Sequence, residues 1–106
     1  MEKIFISIAS YRDPELIPTI NDALNNSYNK NNLIFGICLQ DTDENLCKFP
    51  FKGKNFKVLK INFQKSKGCN WARRCIQDNL YTDEKYYLQI DSHTRFIKDW
   101  DKKLIE

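Results

Sequence analysis

Apolar residues fall in short dense runs separated by polar stretches, and the spacing within the runs is of two kinds. Lys3 to Ala9 (KIFISIA) is rich in Ile and Phe and reads as a buried strand. Ser10-Tyr11-Arg12 then reads as a loop. Asp13 followed by Pro14 marks a helix start, because an Asp side chain accepts from the first free N–H groups and Pro suits the first helical position. This helix is expected to run to about Ser27, with Leu16, Ile17, Ile20, Ala23 and Leu24 on helical spacing. Pro18 stands where a helical N–H is normally needed, so an irregular first turn is expected. Asn29 to Asn32 is a polar turn, and Leu33 to Leu39 (LIFGICL) is a second strand that Gln40-Asp41 ends. Thr42 to Asn55 holds Pro50, Gly53 and several charges and reads as a long excursion. Phe56 to Phe63 is a third strand, and Gln64 to Gly68 is a loop. Trp71 to Leu80 is a second helix, with Trp71, Ala72, Cys75, Ile76 and Leu80 available to one face. Tyr86 to Ile90 is a fourth strand. Thr94 to Ile97 is expected to be extended, and Asp99 to cap a last helix from Trp100 to Ile105.

Helices between apolar strands predict an α/β fold with an open, largely parallel, Rossmann-like sheet of about four strands. Crossovers in such sheets are right-handed, and ligands gather at the carboxyl ends of the strands near the topological switch point. The loops at those ends are Ser10-Tyr11-Arg12, Gln40-Asp41, Ser66-Lys67-Gly68 and Asp91-Ser92-His93, and every one is polar.

Composition narrows the picture. A length of 106 residues suits one domain, 1–106, with a single core. An apolar content of 42% with 13% aromatics argues against disorder. The net charge of +3 permits an anionic ligand without announcing nucleic-acid binding. Lys48, Lys52, Lys54, Lys57, Lys60, Lys65 and Lys67 crowd the middle of the chain and read as a solvated face and a mobile loop. No apolar run approaches the roughly 20 residues that span a bilayer, and Met1 to Ile8 lacks a signal peptide's pattern, so a cytoplasmic location is expected. Cys38, Cys47, Cys69 and Cys75 lack the two-residue gap of a zinc knuckle or redox motif and read as reduced, buried thiols.

Four features bear chemistry. Asp91 and His93 are two apart after a strand and so point to one side, where a carboxylate and an imidazole suit Mn²⁺ and leave coordination positions for phosphate oxygens. Spacing alone leaves this level with a strand-ending Asp, a capping Ser and a surface His. Arg73 and Arg74 follow the flexible Gly68 at a helix start, where a guanidinium can grip a phosphate; a solvated role suits Arg74 better. Arg12 follows the first strand and is open to both readings. Asp41 is suited either to a base N–H or ribose, or to ending a strand. Trp71 and Trp100 read as packing residues. Three widely spaced glycines exclude a glycine-rich phosphate loop, which favours phosphate recognition by metal and Arg.

Three blocks together resemble a known family. They are Ile6-Ser7-Ile8-Ala9-Ser10-Tyr11-Arg12-Asp13-Pro14-Glu15-Leu16, Lys67-Gly68-Cys69-Asn70-Trp71-Ala72-Arg73, and Tyr87-Leu88-Gln89-Ile90-Asp91-Ser92-His93-Thr94-Arg95-Phe96. They resemble, in order and across nearly all of the chain, the GT-A-type transferases that move N-acetylglucosamine onto hydroxyproline of a ubiquitin-ligase adaptor. The resemblance implies a UDP-sugar donor such as UDP-N-acetylglucosamine, a divalent metal (Mn²⁺ or Mg²⁺), a protein hydroxyl as acceptor, and retention at the anomeric carbon. By position it implies that Asp91 and His93 hold metal and diphosphate, with Ser92 and Gly68 lining the site. Ser10, Tyr11 and Arg12 line the nucleotide pocket, Asp41 approaches the uracil, and Arg73 lies near the diphosphate.

The chain ends soon after Asp91-Ser92-His93, where GT-A enzymes carry an acceptor half. It is therefore expected to be the donor-binding half, with a homo-oligomer or partner chain supplying the rest. No general base can be named. The alternatives are a catalytically silent UDP-sugar and metal-binding module, and a nucleotidyltransferase-like enzyme. The latter calls for a glycine-rich first loop, which Ser10-Tyr11-Arg12 is not.

Overall fold

A computed structural model describes residues 2–105. In chain order it contains β1 (Ile4–Tyr11), α1 (Leu16–Asn25), β2 (Leu33–Asp41), α2 (Asp43–Lys48), β3 (Phe56–Asn62), α3 (Cys69–Asn79), β4 (Tyr86–Asp91) and α4 (Trp100–Ile105). The strands form one sheet in the order β3-β2-β1-β4, and every pairing is parallel. The open α/β sheet expected from the hydrophobic pattern is the architecture that forms.

Alternation along β1 and β2 sorts the core into two layers. Ile4, Ile6 and Ile8 of β1 and Leu33, Phe35, Ile37 and Leu39 of β2 pack with Leu16, Ile20 and Ala23 of α1, with Leu46, and with Trp100 of α4. Phe5, Ile34 and Cys38 point the other way, onto Ala72 and Ile76 of α3. Both faces of these central strands are thus covered, which explains their near-continuous apolar runs. Gly36 lies against the Phe5 ring: a Cβ there would sit 2.0 Å from Cζ of Phe5. At this position glycine is required by close approach.

The first helix starts later than the Asp13-Pro14 signal suggested. Its N-cap is Glu15, and the first helical bond runs from the Thr19 amide to the Glu15 carbonyl at 2.9 Å. Pro18 therefore lies in the first turn, where an amide has no helical acceptor, and the missing N–H costs nothing. The strands run further than their apolar cores. Ser10 and Tyr11 stay in register with Leu39 and Gln40, because backbone pairing does not require apolar side chains. Ser10-Tyr11 is thus strand rather than loop.

Within the expected excursion, Asp43–Lys48 is a helix. The Thr42 side chain accepts from the Asn45 amide at 3.2 Å, and Asp43 and Glu44 occupy the favourable first turn. Six residues with Leu46 as the one buried position are too few for periodicity to show. Lys57, expected on a solvated face, is half-buried: its Nζ donates to the Leu80 carbonyl at 3.0 Å and pairs with Glu84 at 3.1 Å. Residues 94–97 do not join the sheet. They run beside α1, where the Thr94 amide donates to Thr19 and the Phe96 amide to Asp22. Trp100 is buried, and its Nε1 donates to the Ala23 carbonyl at 2.8 Å. No helix among the described residues is long and apolar enough to cross a membrane.

Candidate functional site

The order in which strands are laid down reverses at β1, since β2 and β3 lie on one side of it and β4 on the other. That switch point is where two crossovers part and leave a crevice at the carboxyl ends of the strands. A cavity of about 360 Å³ opens there, lined among others by Arg12, Asp13, Arg73, Asp91, Ser92 and His93. A second cavity of about 650 Å³ adjoins it beyond the ends of β1, β2 and β3, with Gln40, Phe63, Gln64, Ser66 and Gly68 in its wall. Ala9, Tyr11 and Cys69 line both, so the two form one groove.

Asp91 ends β4, and its side chain is 64% exposed. Nη2 of Arg73, reaching from α3, lies 3.4 Å from its Oδ1. Arg73 Nε is buried and has no hydrogen-bond partner among the described residues. Ser92 turns inward: its hydroxyl donates to Asp13 Oδ2 at 2.5 Å, and its carbonyl accepts from Thr19 at 2.9 Å. This pinned middle residue leaves Asp91 and His93 exposed on either side. Nδ1 of His93 lies 3.3 Å from the same Asp13 oxygen. Partial burial acts to raise the Asp13 pKa, but hydrogen bonds from Ser92, the Glu15 amide and His93 outweigh it, and the carboxyl titrates below its ordinary value.

Where the two cavities adjoin, Arg12 adopts a left-handed backbone (φ 48°), rare for a residue with a side chain. Its amide donates to the Gln40 carbonyl at 2.8 Å, and its guanidinium lies over the Phe63 ring, 4.5 Å from the centroid. Tyr11 meets the same ring edge-on at 6.3 Å. The Gln40 side chain is buried, donating to the Ser10 carbonyl at 3.1 Å and accepting from Ser66 at 2.5 Å. Gly68 caps α3 at φ 102° with open space around it, so backbone conformation alone selects glycine.

A family model described as Glycosyltransferase (GlcNAc) matches residues 3–50 and 43–106. The chain belongs to this glycosyltransferase family. No curated protein and no solved structure gives a significant match.

In this glycosyltransferase, then, the groove gathers most of the residues singled out from sequence. Tyr11, Arg12, Gly68, Arg73, Asp91, Ser92 and His93 all line it. Two do not. Ser10 is 1% exposed, on the sheet face covered by α1 and α2, and its hydroxyl has no partner among the described residues. Asp41 Oδ1 accepts from the Thr42 amide at 2.8 Å and from Asn45 at 3.0 Å, a turn-building role at the start of α2. Asp13, Phe63 and Cys69 carry no expected site role and do line the groove, as do Gln40 and Ser66, which the sequence places in carboxyl-end loops without a role of their own. Asp13 was read as a helix cap and Gln40 as a strand end. Both readings account for the residue locally and hide what the fold places beside it. No cluster of three or more His, Cys, Asp or Glu suited to a metal occurs among the described residues.

Proposed function

We propose that the groove binds a UDP-sugar, UDP-N-acetylglucosamine or a close relative, together with a divalent metal, and that the family's transfer goes to a protein hydroxyl such as hydroxyproline. The observation that carries this reading is the convergence of Asp91, His93 and Arg73 in one cavity at the switch point. An exposed carboxylate and an imidazole fit Mn²⁺, and two protein ligands leave positions for diphosphate oxygens, where Mg²⁺ is the alternative. Tyr11 and Phe63 line the wider end and offer aromatic surface to a base, while Arg12, over the Phe63 ring, supplies a cation from the adjoining narrower cavity.

The metal, when bound, stabilises negative charge on the departing diphosphate. Arg73 acts on the same charge from α3, whose N-terminal end borders the groove through Cys69 and favours anions. Ser92 and Gly68 shape the walls, and Asp91 holds Arg73 in place until ligand arrives. β4 is an edge strand among the described residues, and a second copy or a partner chain carrying acceptor-binding groups is the proposed complement. The glycine-poor first loop speaks against a nucleotidyltransferase.

Calorimetry with UDP, with and without Mn²⁺, on the wild type and an Asp91→Ala, His93→Ala double variant tests the reading. Binding is expected to require Mn²⁺ and to be lost in the variant. Binding that ignores both metal and substitutions overturns it. Binding with neither hydrolysis nor transfer of sugar identifies a silent donor-binding module instead.

A further inference from the structure

We infer that Asp13 is a positioning residue that fixes the ring of His93 in one tautomer, with Nδ1 carrying the proton and Nε2 left as the metal-binding nitrogen. The inference deepens the proposed donor site and rests on that reading for the identity of the ligand.

Asp13 precedes α1, and its two carboxylate oxygens divide the work. Oδ1 accepts from the Glu15 amide at 2.9 Å and steadies the entry to the helix. Oδ2 faces the loop after β4, accepting from the Ser92 hydroxyl at 2.5 Å with His93 Nδ1 at 3.3 Å. Helix initiation needs only the first of these. The second joins residues 79 and 80 positions apart, across the mouth of the switch point. An oxygen that already accepts from a hydroxyl is an acceptor toward the next polar atom as well, so the nitrogen facing it donates. In a neutral imidazole the other nitrogen then holds the lone pair, and a carboxylate behind a ligating histidine both orients the ring and strengthens the ligand. Ser92 supports the arrangement from inside: it is 7% exposed and tied to Thr19 through its carbonyl, so the backbone carrying His93 is anchored.

His93 is the chain's single histidine, so its ring signals need no assignment. The test is ¹⁵N NMR of the metal-free chain at a pH where the imidazole is neutral, followed by titration of Mn²⁺ at saturating UDP. The wild type is expected to show the Nδ1–H tautomer. Asp13→Asn should lose that preference and bind Mn²⁺ about 10- to 100-fold more weakly, the usual effect of removing such a partner. Ser92→Ala keeps the carboxylate and should keep the tautomer, which separates positioning from general disturbance of the loop. An Nε2–H tautomer in the wild type, or an Asp13→Asn chain with unchanged tautomer and affinity, overturns the inference. A wild type with the expected tautomer that binds no Mn²⁺ overturns the metal reading of the site, and with it the ligand role given to Nε2.

Discussion

Arg12 and Phe63 come from different strand ends, yet the guanidinium of one lies over the ring of the other at 4.5 Å. The two meet where the cavities adjoin, Arg12 lining the narrower and Phe63 the wider, with Tyr11 against the same ring. Stacking of a base on an aromatic side chain is worth about 1–3 kcal/mol, and Phe63 is one of the two rings, with Tyr11, that line the wider cavity. Phe63→Ala is expected to weaken UDP binding by about 5- to 100-fold, whereas Phe63→Tyr retains most of it. Calorimetry decides this. Equal affinity in Phe63→Ala would move the base elsewhere in the groove.

Arg73 is expected to act on the diphosphate rather than on the nucleoside. A hydrogen bond to a charged group is worth about 1.5–3 kcal/mol, so Arg73→Ala should lower UDP affinity by about 10- to 100-fold. Uridine, which lacks phosphates, should bind the variant and the wild type alike. A parallel loss for both ligands would show that Arg73 supports the cavity wall and does not contact phosphate.

How much of this was legible in the sequence depends on how far apart the partners lie. Asp91, Ser92 and His93 are adjacent in the chain and follow an unmistakable strand, so their shared location was readable. The parallel sheet was readable from its buried runs. The remainder arises from contacts between distant segments. Asp13 satisfied a local rule for starting a helix, and nothing nearby signalled that its other oxygen meets Ser92. Gln40 resembled the polar end of a strand, but the ladder continues through it and buries its side chain. Asp41 resembled a base-binding acid, but the short helix after it claims its carboxylate. Pro18 disrupts nothing, because the helix begins at Leu16 and not at the Asp13-Pro14 signal.

Lys57 and Glu84 make stability depend on pH. The Glu84 side chain is 3% exposed; it accepts from the Thr82 amide and pairs with Lys57 of β3, whose Nζ also donates to the Leu80 carbonyl just after α3. Burial raises its pKa, but hydrogen bonds from the backbone and from Lys57 outweigh it, so the folded value lies below the ordinary 4.5. A depressed carboxylate stabilises fully above its unfolded value and loses that contribution as pH falls through its folded value. Glu84→Gln should therefore cost about 1–3 kcal/mol at neutral pH. The gap should narrow as pH falls below the ordinary carboxylate value and close below the depressed folded one. Urea unfolding across pH measures both, and a gap independent of pH would remove the charge from the explanation.

Gly36→Ala tests the close contact between the central strands. With the new Cβ 2.0 Å from the Phe5 ring and the ring itself fully buried, either the strand or the ring must shift. Overpacking of this kind costs about 1–3 kcal/mol, readable as a lowered Tm. Gly36→Ala with Phe5→Leu should recover part of the loss, because Leu lacks the ring atom that clashes. No recovery would place the cost in backbone conformation rather than in packing.

The cysteines, expected to be buried and reduced, divide by environment, and one of them reports on the groove. All four are free, but Cys47 and Cys69 are exposed. Cys38 is fully buried, and burial, with Cys75 nearby, pushes its thiol up to about 11. A thiol reagent at neutral pH should therefore modify Cys47 and Cys69 quickly and Cys38 only on unfolding, since the thiolate is the reacting form. Cys69 lies where the two cavities meet, whereas Cys47 is on α2 and lines neither. Saturating UDP with Mn²⁺ should slow modification of Cys69 several-fold and leave Cys47 unchanged. Mass spectrometry of the modified peptides resolves the two sites. Equal protection of both would indicate a global change on binding, and protection of neither would place the nucleotide away from the junction that Tyr11, Ala9 and Cys69 share.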